Sequence, residues 1–181
     1  MARSPRDLEP GVFHVYAHCV WAADAFFRDD EDRIVFLREL ALATVRVGWK
    51  CLEYCVMGTH YHLVLDVPAG ALPKGMHSLN FRYASHFNFR HAMKGHVQGR
   101  RYGARRLVDE DDLLGVFKYM ARNPVEAFLC EKPEDWPWSS YAGTIGLAES
   151  ASFVDPRPIL RCFNDPLEHA RAALRRHVAQ P

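Results

Sequence analysis

His60 and His62 stand two residues apart in a stretch, His60 to Val67, that reads as a strand. Side chains alternate across a strand, so both imidazoles project from one face. Two imidazoles on one face make a two-point metal site with positions left open for substrate oxygens. With ten histidines in 181 residues, such a pair also arises by chance, so spacing alone leaves a structural role open. Tyr61 between them points to the opposite face and reads as a core aromatic. Tyr119 and Asn123 are four apart on a predicted helix and share one of its faces. A phenol and a carboxamide placed there could reach a common phosphate, although the same pair also suits an ordinary half-buried helix surface.

The elements that would position these residues follow from pattern. Val12 to Trp21 is rich in β-branched and aromatic residues and reads as a first strand. Asp29-Asp30 can cap a helix in which Ile34, Leu37, Leu40, Ala41 and Val45 recur at helical spacing up to Gly48. Trp49 to Met57 and His60 to Val67 form two strands around the Gly58-Thr59 turn, an antiparallel hairpin. After a loop from Pro68 to Pro73, Met76, Leu79, Tyr83 and Phe87 mark a second helix ending near Gly95. His96 to Val108 reads as an irregular strand or hairpin. A third helix starts at Asp109, with acids in its first turn where the helix dipole favours them, and is expected to stop at Asn123-Pro124. Trp136 to Ser140 is a turn before a short helical piece, and Pro166 to Val178 reads as a last amphipathic helix. The order β-α-β-β-α-β-α suits an α+β fold, an antiparallel sheet with helices on one side, followed by a helical C-terminal extension.

The composition, 49% hydrophobic and 25% charged, is that of a globular domain. No run of about 18 apolar residues spans a membrane, and Met1 to Pro10 lacks the apolar region of a secretory signal. Five cysteines without a CxxC favour reduced thiols, hence a cytoplasmic setting. The formal net charge is only +1, but Val67 to Val108 contains no Asp or Glu. That stretch holds Lys74, Arg82, Arg90, Lys94, Arg100, Arg101, Arg105 and Arg106, and Asp109-Glu110-Asp111-Asp112 follows at once. A basic middle with acidic flanks can present a polyanion surface despite a neutral sum.

Four segments together resemble one family. MGTHYHLVL (Met57 to Leu65) is similar to a Met-Pro-Asn-His-hydrophobic-His strand. RRYGARRLVDEDDLLGVFKYMARNPVEAFL (Arg100 to Leu129) is similar to an Arg-Tyr strand, an acidic cap and a Tyr-Ile-x-x-Asn-Pro-Val helix end. WPWSS (Trp136 to Ser140) matches the Trp-Ser-Ser that follows, and FHVYAHCVW (Phe13 to Trp21) resembles a first strand that usually reads His-Val-Thr-x-Arg. In order and spacing these resemble the single-tyrosine HUH transposases of small bacterial insertion sequences, and within them the REP-associated tyrosine transposases. The resemblance covers about Gly11 to Gly146, and residues 1–146 would form the transposase domain. Residues 147–181 would be an extension rather than an independent domain.

The resemblance implies a ferredoxin- or RRM-like HUH fold and a set of roles. Tyr119 would be the nucleophile, and His60, His62 and Asn123 would hold Mg²⁺ or Mn²⁺. The substrate would be single-stranded or hairpin DNA, cleaved and rejoined through a 5′-phosphotyrosine. Arg82, Arg90, Lys94, Arg100, Arg101, Tyr102, Arg105 and Arg106 are the candidate DNA contacts, with Tyr102 placed to stack on a base. Compact relatives pair one subunit's histidines with the other's tyrosine. This chain continues past Gly146, which favours a monomer over a dimer. The sequence departs from the pattern at Gly58-Thr59 in place of Pro-Asn, at Tyr61 in place of an aliphatic residue, at His18 in place of Arg and at Gln98-Gly99, offset from an aromatic-Gln pair. Two other readings are a structured DNA or RNA binder that does not cut and a metal hydrolase with a water nucleophile. The second lacks a carboxylate near the histidines in sequence.

Overall fold

A computed structural model describes residues 9–19, 25–98, 101–164 and 166–180. Four antiparallel strands, β1 (Gly11–His18), β2 (Lys50–Val56), β3 (His60–Val67) and β4 (Gly103–Arg106), lie in the order β2-β3-β1-β4. The β2–β3 hairpin closes at Gly58-Thr59, where Met57 N donates to His60 O at 2.9 Å. Cys51 pairs with Leu65 and Glu53 with Val64, so Leu52 is an extra residue in β2. This bulge turns Glu53 towards the same side as Leu52, and re-aiming side chains is what such insertions do.

Helix α1 (Asp30–Val47) begins where Asp29 accepts from Asp32 N and ends at Gly48, whose left-handed φ of 72° lets its N–H reach Thr44 O. Helix α2 (Ala71–Arg90) starts before Pro73 rather than after it. Pro73 falls in the first turn, where its missing N–H has no partner to lose. Both helices pack on the sheet face made by Phe13, Val15, Ala17, Tyr61, Leu63 and Leu65. Gly75 lets α2 close on Trp49, because a Cβ there would come within 2.1 Å of the indole ring.

Helix α3 (Glu110–Glu126) has Asp109 as its cap and three acids in its first turn. It runs through Pro124, past the stop expected at Asn123-Pro124. Pro124 gives no N–H to the preceding turn, yet it is buried with Met120 and Ala121, and the chain leaves soon after, at Phe128 with φ of 58°. α3 lies on the opposite sheet face from α1 and α2, over Leu52, Cys55, Met57 and Val64. Three further helices, α4 (Tyr141–Thr144), α5 (Arg157–Arg161) and α6 (Leu167–Ala179), complete that cluster with Tyr141, Ile159, Leu160, Leu174 and Val178. The antiparallel sheet and the helical C-terminal segment are those expected from the sequence, but helices cover both faces rather than one, because α3 and the C-terminal helices bury the apolar residues on the second face of β2 and β3. α3 and that segment cover the β2 side of the second face and reach over His14 and His62 of its β1–β3 part, leaving Tyr16 and His18 exposed. Among the described residues no helix is long and apolar enough to cross a membrane.

Backbone bonds join the C-terminal segment to β2. Val56 N donates to Trp138 O, Ser140 N to Tyr54 O and Asp155 N to Cys51 O, at 2.8–3.0 Å.

Candidate active site

On the β1–β3 part of the second face, alternation places His14, Tyr16 and His18 of β1 beside His60 and His62 of β3. Tyr16 pairs with His62 and His18 with His60 across the strands. The imidazoles of His18 and His60 stack with centroids 5.0 Å apart, and those of His14 and His62 at 5.1 Å. Tyr61, on the other face, is fully buried and its hydroxyl donates to Asn80 Oδ1 at 3.0 Å.

α3 brings Tyr119 and Asn123 over the histidines. The Tyr119 ring lies 5.3 Å from that of His62 and 6.3 Å from that of His14, edge-on to both. Asn123 Nδ2 is 3.3 Å from His62 Nε2, and His62 Nδ1 is 3.0 Å from His14 Nε2. Thr59 Oγ1 lies 3.0 Å from His60 Nδ1. All four residues singled out by type and spacing thus meet in one chain, on the stretch of sheet that α3 leaves partly open.

The electrostatics disfavour charge on His14, His60 and His62. Burial, with His14 as a neighbour, lowers His62 to about 3, and burial with Arg105 nearby lowers His14 to about 4. Burial and neighbouring His18 also depress His60, against a hydrogen bond that Asn123 accepts from it, which raises it. Neutral imidazoles are ready to ligate without releasing protons. Burial and the Glu126 carboxylate raise the Tyr119 phenol, and Asn123 only partly offsets them. The chain's own groups therefore do not favour the phenolate, and an added positive charge would.

Among the described residues no three His, Cys, Asp or Glu side chains group into a metal-holding set. The donors at this place are two neutral imidazoles and the Asn123 carboxamide, whose N–H serves His62 here and whose carbonyl oxygen suits a cation. That set fits a weakly held divalent ion completed by substrate oxygens, since Mg²⁺ ordinarily prefers carboxylates.

The candidate DNA contacts divide. Arg105 pairs with His14 across β1–β4 and borders an open groove that also takes in Tyr119, Asp109, Asp111 and Asp112. Its guanidinium is held by Asp112 at 2.7 Å. Three aspartates against one arginine disfavour phosphate at the far end of that groove. Arg101 is exposed beside β4. Arg106 bonds the carbonyls of Glu9 and Pro10 and covers the Phe13 ring, so it ties down the chain before β1. Tyr102 packs partly buried against the α1–α2 core instead of standing free. Arg82 and Arg90 are on α2, across the sheet from the histidines, and Lys94 follows that helix. Arg90 is engaged by Asp29, Glu31 and buried Asp32. Arg100 lies outside the described residues.

His14, Tyr16 and His18 are absent from the sequence-based site. The signal was available: positions 14, 16 and 18 alternate as 60 and 62 do, and β1 pairs with β3.

No protein-family model matches the chain, and no curated protein does. One solved structure does, described as that of the REP-associated tyrosine transposase bound to a REP hairpin. It has a TM-score of 0.68 and 13% identity, over 86% of this chain and 94% of that one. At that identity the likeness is one of fold, and the chain shares the architecture of a REP-associated tyrosine transposase.

Proposed function

We propose that the chain cleaves and rejoins single-stranded DNA near hairpins, with Tyr119 as nucleophile. The observation that carries this reading is the meeting of Tyr119, Asn123, His60 and His62 within one chain, with Tyr119 edge-on to His62 at 5.3 Å. In the reaction, Tyr119 Oη bonds to the scissile phosphorus and gives its proton to solvent. The bond from phosphorus to the 3′ oxygen breaks, and that oxygen takes up a proton to leave a free 3′-hydroxyl. The reverse attack rejoins strands, so bond energy is kept without a nucleotide cofactor. Mg²⁺ or Mn²⁺ held by His60, His62 and Asn123 would offset charge growing on the phosphate and favour the phenolate. Arg101, exposed beside β4, is the candidate contact to the DNA backbone, and Arg105 would join it only where a phosphate displaces Asp112. The fold neighbour's hairpin supports a hairpin substrate. A single chain holds the whole set, so a monomer suffices.

The test incubates the full chain with end-labelled hairpin DNA and Mn²⁺, then looks for an adduct that survives denaturation and maps to Tyr119. Tight binding without cleavage would favour a non-cutting binding protein. Cleavage without an adduct would favour a water nucleophile.

A further inference from the structure

His62 is held at both ring nitrogens. Asn123 Nδ2 lies 3.3 Å from Nε2, and His14 Nε2 lies 3.0 Å from Nδ1. An amide N–H can only donate, so His62 Nε2 must carry a lone pair. In a neutral imidazole the proton then sits on Nδ1, which can only donate. His14 Nε2 must therefore be the acceptor. His14 is 8% exposed and His62 3%, so water is poorly placed to take over that role.

This arrangement matters because a free imidazole in water prefers the other tautomer, with its proton on Nε2. That tautomer would aim an N–H at Asn123 and remove the lone pair from the side that faces Asn123. Metal-ligating histidines commonly have the second nitrogen fixed by a hydrogen-bond partner for this reason. Here the partner comes from β1, whose His14 reaches diagonally across the strand pair; its direct neighbour on β3 is Val64.

We propose that His14 is a positioning residue that holds His62 in the Nδ1–H tautomer and keeps its Nε2 lone pair available to a divalent cation on the Asn123 side. The cation part rests on the reading of His62 as a metal ligand; the tautomer part does not. It distinguishes His14 from the cross-strand pair His18 and His60, which stack without a hydrogen bond between them among the contacts described.

The experiment uses full-length protein labelled with ¹⁵N-histidine, in parent, His14→Gln and His14→Leu forms, each checked for a cooperative thermal melt. Glutamine offers an acceptor oxygen at similar reach; leucine fills the space without one. The expected parent spectrum has a protonated Nδ1 and a lone-pair Nε2 at His62. His14→Gln keeps it, and His14→Leu moves the proton to Nε2. Mn²⁺ affinity, read by electron paramagnetic resonance, should fall in His14→Leu by about 10- to 100-fold, the usual effect of removing such a partner, and recover in His14→Gln. A parent His62 protonated at Nε2, or a His14→Leu protein with unchanged tautomer and Mn²⁺ affinity, overturns the proposal. A tautomer that responds as expected in a parent that binds no Mn²⁺ supports His14's control of His62 and defeats the metal reading instead.

Discussion

Tyr119 meets His62 edge-on, ring centroids 5.3 Å apart and planes at 81°, although they stand 57 positions apart in the chain with α2 and β4 between them. The contact places a phenol over the histidine face without burying it, since Tyr119 is 46% exposed. Its hydroxyl can be removed with little packing loss, which makes it the sharpest place to test the chemistry.

Tyr119→Phe is expected to bind hairpin DNA with near-parent affinity, form no covalent adduct and release no 3′-hydroxyl product. The measurement is a denaturing gel with peptide mapping of any adduct. Tyr16 also stands on the histidine face, 6.1 Å from the His62 ring, so an adduct mapping to Tyr16 would show that the wrong phenol was assigned.

The phenol's raised pKa carries a pH prediction. Below that pKa the phenolate fraction, and so the cleavage rate, should rise with pH. Glu126 contributes to the elevation by disfavouring a second negative charge. Glu126→Gln should therefore shift the rising limb of the pH–rate profile to lower pH, read from single-turnover rates. A shift to higher pH would contradict it.

His60→Ala or His62→Ala should lower divalent-dependent cleavage by more than about 100-fold, beyond the loss usual for a partner behind a ligand, while the melt stays cooperative. Asn123→Ala should be milder, because water can replace one amide ligand of a weakly held ion. Unchanged cleavage in both histidine variants would remove the site assignment.

Arginine substitutions should separate by location. Replacing exposed Arg101 should flatten the salt dependence of DNA binding by roughly 0.7 log units of slope for one lost single-strand contact, and replacing Arg105, held by Asp112, should change it less. Arg90→Ala should instead lower the melting temperature, because buried Asp32 loses a partner. Its salt slope should match the parent's, as measured by fluorescence anisotropy across a salt series.

Glu53 predicts a pH-dependent stability. It is fully buried, accepts from Thr144 at 3.4 Å, and leaves Oε1 without a hydrogen-bond partner. Burial pushes its carboxyl up to about 8, against hydrogen bonds from Ser140 and Thr144. A folded pKa above the unfolded one means stability is fully present below the unfolded value near 4.5 and is lost as pH rises through 8. Glu53→Gln should remove that loss, so its advantage over the parent should grow from pH 5 to pH 8, reaching on the order of a few kcal/mol in denaturant melts. A difference independent of pH would refute it.

The sequence showed most of this frame because its signals were local. The Gly58-Thr59 turn, the Asp29 and Asp109 caps and the alternation through His60 and His62 each act within a few residues. Three features were not local. The helix persists through Pro124 because packing, which buries Pro124 with Met120 and Ala121, outweighs the one N–H bond that proline withholds. Charge density in 67–108 could not distinguish Arg90, held by three carboxylates, from Arg101, which is exposed. The third was the strand pairing that sets Tyr16 opposite His62, which makes β1 half of the histidine face. Reading β1 by its apolar content hid the alternation of His14, Tyr16 and His18.

The stitching of residues 138–155 along β2 has a consequence for solubility. A strand at the margin of a sheet offers unpaired N–H and C=O groups to any other extended chain, and self-association through such margins is a recurrent hazard. Here the C-terminal segment occupies that row on β2, through Trp138, Ser140 and Asp155. The opposite margin, β4, is four residues long and carries Arg105 and Arg106, short and charged enough to discourage pairing. A truncation that removes the chain after Gly146 would free part of the β2 row and bare the apolar surface of Ile159, Leu160, Leu174 and Val178's partners. Such a fragment should aggregate before it unfolds.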